Sequence, residues 1–182
     1  VNTSGWDLGE VRGISADGSA LIGLGLFNGQ VSGWLVTGLA QPDAVSYCTA
    51  KTNSSGCTPT IVTSGVASLS GADDFYVGAH SVLNNQSGIL IRSFIPASTP
   101  FFGGTLCVAA PIVRTPIQNS GGTALGTDCS GSYSFHVSHA YMAASSLAPG
   151  STLHCQYWCR DPGFAPPNSI GLTNAVRVTV WP

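Results

Sequence analysis

The chain has 182 residues, a net charge of -2 and only 8% charged against 43% hydrophobic residues; it is the size of one ordinary domain, with room for a small extension. So little charge beside so much apolar content argues against a disordered chain. The six basic residues stand singly, which argues against a nucleic-acid face and an electrostatically held membrane surface. Glu, Lys and Met occur once each against 23 Gly, so helix formers are scarce and an all-β chain is expected.

The opening "VNTSGWDLGE" shows neither the basic stretch nor the apolar run of a signal peptide, as expected of a mature or excised form of a secreted chain. Residues 11–39 predict three short strands separated by turns at "ADGS" and "FNGQ", where Asp-Gly and Asn-Gly tolerate positive φ. The uncharged window 18–41 is long enough to cross a membrane, but "FNGQ" interrupts it and a hairpin is expected, with no membrane span. "AQPDAV" at 40–45 marks a boundary between an N-terminal β extension, 1–40, and a domain over 41–182.

Beyond the boundary, strands are predicted near 60–67, 74–83 and 88–95, with a turn at "LNNQSG", and then near 104–109. Pro111 and Pro116 make the next segment an edge strand or a loop. "GSYSFHVSHAYMAA" reads as a strand running into a short helix near 137–147, and "STLHCQYWCRDP" and "NAVRVTVWP" as the last strands. Short strands with regular turn signals predict an all-β, disulfide-bonded two-sheet β-sandwich, jelly-roll-like, behind the short N-terminal extension.

Two resemblances follow. "GISADGSALIGLG" followed by "GWLV" resembles one unit of the extracellular HAF repeats, in which a Ser-x-Asp-Gly turn separates two strands. One unit cannot bury its own apolar face, so it is expected to pack on the rest of the chain or on another copy. From Tyr47 to Pro182, "YCTAKTNSSGC", "GGTLCVAAPIVRTP", "DCSGSYSF" and "CQYWCRDPGF...NSIGLTNAVRVTVWP" follow in order the pattern of a domain common at the C-termini of secreted proteins of planctomycetes and other bacteria. That resemblance implies an extracellular, envelope-associated module and no chemistry. The chain departs from it at Cys159, where relatives more often carry Gly or Tyr, which suggests a bridge within the chain or between subunits.

Six cysteines, Cys48, Cys57, Cys107, Cys129, Cys155 and Cys159, are an even number in a charge-poor chain, and disulfides in an oxidising compartment are expected. Many pairings are open. The short loop favours Cys48–Cys57, which leaves the other four to pair among themselves.

Candidate chemistry is sparse. His154, Cys155 and Cys159, with His136 and His139, could supply zinc ligands, but two close ligand pairs of structural-zinc spacing are missing. Asp17, Asp73 and Asp74 could offer oxygens to calcium, without a Ca-loop motif. Glu10 is the one Glu, which disfavours a paired-carboxylate glycosidase, and no G-x-S-x-G elbow occurs. No metal, no cofactor and no enzyme activity are expected.

Sugar binding needs exposed aromatic faces with a few polar groups, and Trp6, Trp34, Tyr157, Trp158 and Trp181, with Arg160, are the candidates. Tyr157 and Trp158 are neighbours on a strand, so one of them belongs to the core. In "CQYWCRDPGF", Arg160 and Asp161 are expected to pair or to cap the turn. Assembly is the reading the residues favour. Leu21, Ile22, Leu24, Leu26, Trp34 and Val36 lie in an uncharged β segment whose strands invite another copy. The expected function is a self-associating structural subunit of a bacterial surface filament, tube or layer, secreted and with copies of itself as partners. Glycan binding or adhesion is the alternative. Lys51, the one lysine, is a further candidate for a crosslink to an Asn or Asp side chain.

Overall fold

Residues 4–15, 19–37, 39 and 44–182 are described by a computed structural model. The first sheet is built from β1 (Trp6–Asp7), β2 (Val11–Ile14), β3 (Leu21–Phe27) and β4 (Gln30–Val36). β3 is central: β4 pairs along one edge, and β1 and β2 share the other. Asn28 and Gly29, at φ 50° and 79°, close the β3–β4 hairpin with Phe27 opposite Gln30, the positive-φ pair that "FNGQ" predicts. Most of "ADGS", with Asp17, and residues 40–43 of the expected boundary lie outside the described residues.

The remaining strands are β5 (Val45–Tyr47), β6 (Thr60–Ser64), β7 (Tyr76–Val82), β8 (Ser87–Ser93), β9 (Pro96–Phe101), β10 (Gly104–Val108), β11 (Val113–Arg114), β12 (Gln118–Asn119), β13 (Gly131–His136), β14 (Thr152–Arg160) and β15 (Ile170–Thr179). One helix, α1 (His139–Ala144), follows β13. Its N-cap is Ser138, whose side chain accepts from Tyr141 N, as expected of a helix start.

The larger sheet runs β11-β8-β14-β15-β5, with β12 also on β8, and the facing sheet runs β13-β7-β6. Between them lies the apolar core: Ile61, Val77 and Ala79 from the small sheet, and Leu90, Leu153, Tyr157, Val176 and Val178 from the large one. The rings of Tyr133 and Tyr157 stack across it with centroids 5.1 Å apart. Tyr157 is fully buried, and its hydroxyl donates to Val77 O at 2.9 Å, so the core phenol keeps a partner. The chain is thus a nearly all-β, disulfide-bonded, sandwich-like protein.

A third layer was not legible. β9 carries Pro96 and Pro100, yet it pairs with β10. A two-stranded hairpin leaves one edge of each strand without a ladder, where a missing N–H costs nothing. This hairpin lies over the outer face of the large sheet, held by Gln156, whose side-chain amide donates to Thr105 O and accepts from Cys107 N.

The disulfides correct the expected pairing. They join Cys48 to Cys107 and Cys57 to Cys129. Asn53 closes the 48–57 loop in place of a bridge: its Oδ1 accepts from Ser55 N and Cys57 N, and its own N–H donates to Cys57 O. With the turn made by hydrogen bonds, the two thiols at its ends serve different neighbours. Cys155 and Cys159 are free and buried, which overturns the expectation that they pair among the four cysteines outside the 48–57 loop. They lie four residues apart on the same face of one strand, about 13 Å along it, too far to bridge. Both sit in the core cluster, as small apolar fillers.

Candidate functional site

Two surfaces take up the residues singled out by the sequence. The first is one face of the N-terminal sheet. Alternation along β3 and its register with β4 put Ile22, Leu24, Leu26, Val31 and Leu35 on a common face. All five stay exposed with the rest of the chain in place, Val31 to 77% and Leu35 to 63%. Leu21, Trp34 and Val36 lie on the opposite face, and Trp34 is buried, so these three do not belong with the exposed candidates. The reason is Gly23: a Cβ there would run into the indole of Trp34, which folds down over it. Trp6 packs on Phe27 of the same sheet, centroids 5.0 Å apart. Strands β3 and β4 carry no charged residue.

The second surface is the outer face of β14. Odd positions, Leu153, Cys155, Tyr157 and Cys159, enter the core, which removes Tyr157 from the ligand candidates. Even positions, His154, Gln156, Trp158 and Arg160, therefore point to the other side. At one end His154 is buried under Tyr47, whose hydroxyl donates to Cys107 O at 2.7 Å and lies 3.1 Å from His154 Nδ1. With its proton committed to Cys107 O, the phenol offers lone pairs, so the His154 tautomer that fits carries its proton on Nδ1. Burial first and Arg177 second hold the imidazole below its ordinary pKa. Gln156 is fully buried and also donates to Thr173 O at 2.7 Å.

At the other end the hairpin stops and a groove opens. Its volume is about 390 Å³, and it is lined by Trp158 and Arg160 from β14, Ser87 and Ile89 from β8, and Arg114 and Ile117 from the β11–β12 segment. Phe101 of the hairpin meets Trp158 edge-on at 5.7 Å, and the Arg114 guanidinium lies 5.9 Å from the Trp158 ring centroid. Arg160 does not pair with Asp161. Asp161 is fully buried and accepts from Ser54 N through Oδ2 at 3.0 Å, while Arg160 is exposed. Arg114 and Ile117 were not among the sequence candidates, although Pro111 and Pro116 mark their segment as an edge strand or a loop.

The remaining candidates are spoken for. Lys51 Nζ donates to Phe102 O, Asn168 O and Ile170 O at 3.0, 2.6 and 2.8 Å, so its three donors clamp two loops and none is turned to an Asn or Asp side chain. Asp73 Oδ1 accepts from His139 N and pairs with His136, and Asp74 Oδ1 accepts from Val66 N. His154 and Cys155 point to opposite faces of β14, which separates two of the zinc candidates. Trp181 bridges to Ser68 near the chain end. Among the described residues no helix is long and apolar enough to cross a membrane, and within the uncharged window residues 21–36 form the β3–β4 hairpin.

Compared with family models, with curated proteins and with solved structures, the chain matches none.

Proposed function

We propose that this chain is a non-enzymatic extracellular structural subunit that associates with copies of itself through its N-terminal sheet. The observation that carries the reading is the exposed face of Ile22, Leu24, Leu26, Val31 and Leu35. Contiguous apolar surface on a β-sheet is costly in water, and a second copy of the same face removes it. The outer edge of β4, seven residues without a charge or a proline, adds a ladder that no lysine guards. Two disulfides support an oxidising compartment, in keeping with the resemblance to secreted, envelope-associated modules. Cys159 is buried, so association is expected to run through the apolar sheet and not through a disulfide between subunits.

Sedimentation of the full chain over a range of concentrations, with electron microscopy of the same samples, tests the proposal. Ordered oligomers that persist in reductant are expected. Val31→Lys with Leu35→Lys, both on exposed positions, should leave the fold intact and return the chain to monomers. A strictly monomeric parent chain at every concentration would overturn the assembly reading.

A further inference from the structure

We propose that the groove between β14 and the β11–β12 segment binds an acidic saccharide: a sugar ring seated on Trp158, with its carboxylate or sulfate held by Arg114 and Arg160. This goes beyond the assembly reading and uses a different surface. Trp158 is half-buried and held edge-on by Phe101. An aromatic already immobilised loses little freedom when a ligand stacks on it. Ile89 and Ile117 line the groove on either side, and Ile117 is 76% exposed, an apolar surface for the C–H face of a sugar.

Charge names the ligand class. The whole chain has six basic residues, and two of them line this one groove, which contains no Asp or Glu. Among the described residues neither Arg114 nor Arg160 forms an ion pair. Both are exposed, and Arg114 lies at the outer limit of cation–π distance from the indole. A guanidinium presents paired N–H donors that match two oxygens of a carboxylate or sulfate. A neutral sugar would leave both cations unused. The volume of about 390 Å³ stands near the low end of small-ligand clefts, which suits a short saccharide segment.

The test is calorimetric titration of the full chain with oligogalacturonate, with dextran sulfate and with neutral dextran. Binding of an acidic polymer, weakened by salt and absent with dextran, is the expected result. Preference for oligogalacturonate assigns the carboxylate, and preference for dextran sulfate assigns the sulfate. Arg114→Gln with Arg160→Gln should weaken binding about tenfold or more without moving the unfolding midpoint, because both side chains are exposed. Trp158→Ala should remove binding. If that variant unfolds, the arginine pair decides alone. Equal binding of dextran, acidic binding untouched by the arginine changes, or no binding of either acidic polymer would overturn the proposal.

Discussion

His154 shows how one side chain carries the physics of its layer. It lies on the outer face of β14, where the sandwich alone would leave it wet, and the Tyr47 ring meets it edge-on at 5.4 Å. Burial, with the Arg177 charge second, depresses its pKa below 6.5. Between that depressed value and 6.5 the unfolded chain takes up a proton that the folded chain does not. The contribution is therefore present above pH 6.5 and is lost as pH falls through the window. Urea midpoints measured from about pH 8 down to about pH 5 should fall with acid, and His154→Gln should flatten that slope. Asp128, held low by its bonds from Ser130, adds its dependence in the same direction but below its ordinary 3.8, so the two windows separate.

At the scale of the element, β14 is a two-faced strand, and its faces have different jobs. The odd face carries two free thiols in the core, each pushed up to about 12, Cys155 chiefly by burial and Cys159 by burial and then by Asp161. Neutral, buried thiols are poor nucleophiles. The intact mass without reductant should fall below the fully reduced mass by two hydrogens for each of the two disulfides. Alkylation should label two cysteines only after unfolding. A third hydrogen pair missing, or labelling of the native chain, would contradict the assigned thiols. The β3–β4 hairpin is two-faced in another sense: Gly23 lets Trp34 cover one side, while Ile22, Leu24 and Leu26 are left open on the other.

At the scale of the whole molecule, one disulfide joins two layers and the other ties two loops of one sheet. Cys48–Cys107 ties the end of β5 in the large sheet to β10 of the covering hairpin, and Cys57–Cys129 ties the loop before β6 to the loop before β13 of the small sheet. The bridges span 59 and 72 residues, long loops whose closure constrains the unfolded chain strongly. Cys57→Ser with Cys129→Ser should cost about 2–4 kcal/mol, read as a lower urea midpoint at pH 7. An unchanged midpoint would mean that Asn53 and its hydrogen bonds hold the loop without help.

Local chemistry was readable from the residues in order. Asn28-Gly29 specified a tight turn, the adjacency of Tyr157 and Trp158 on a strand specified one core aromatic, the run after β13 specified a short helix, and the scarcity of helix formers specified a β protein. These features depend on neighbours a few positions apart, and φ preference and side-chain period act over that range. Partners far apart in the chain were decided only by tertiary packing. Cys57 and Cys129 meet because β6, β7 and β13 form one sheet. β9 is a strand despite two prolines because it needs a ladder on one edge alone. Arg114 and Trp158 share a groove because β8 pairs with both β11 and β14. No local preference encodes which distant segment a strand edge will find; burial of the common core selects it.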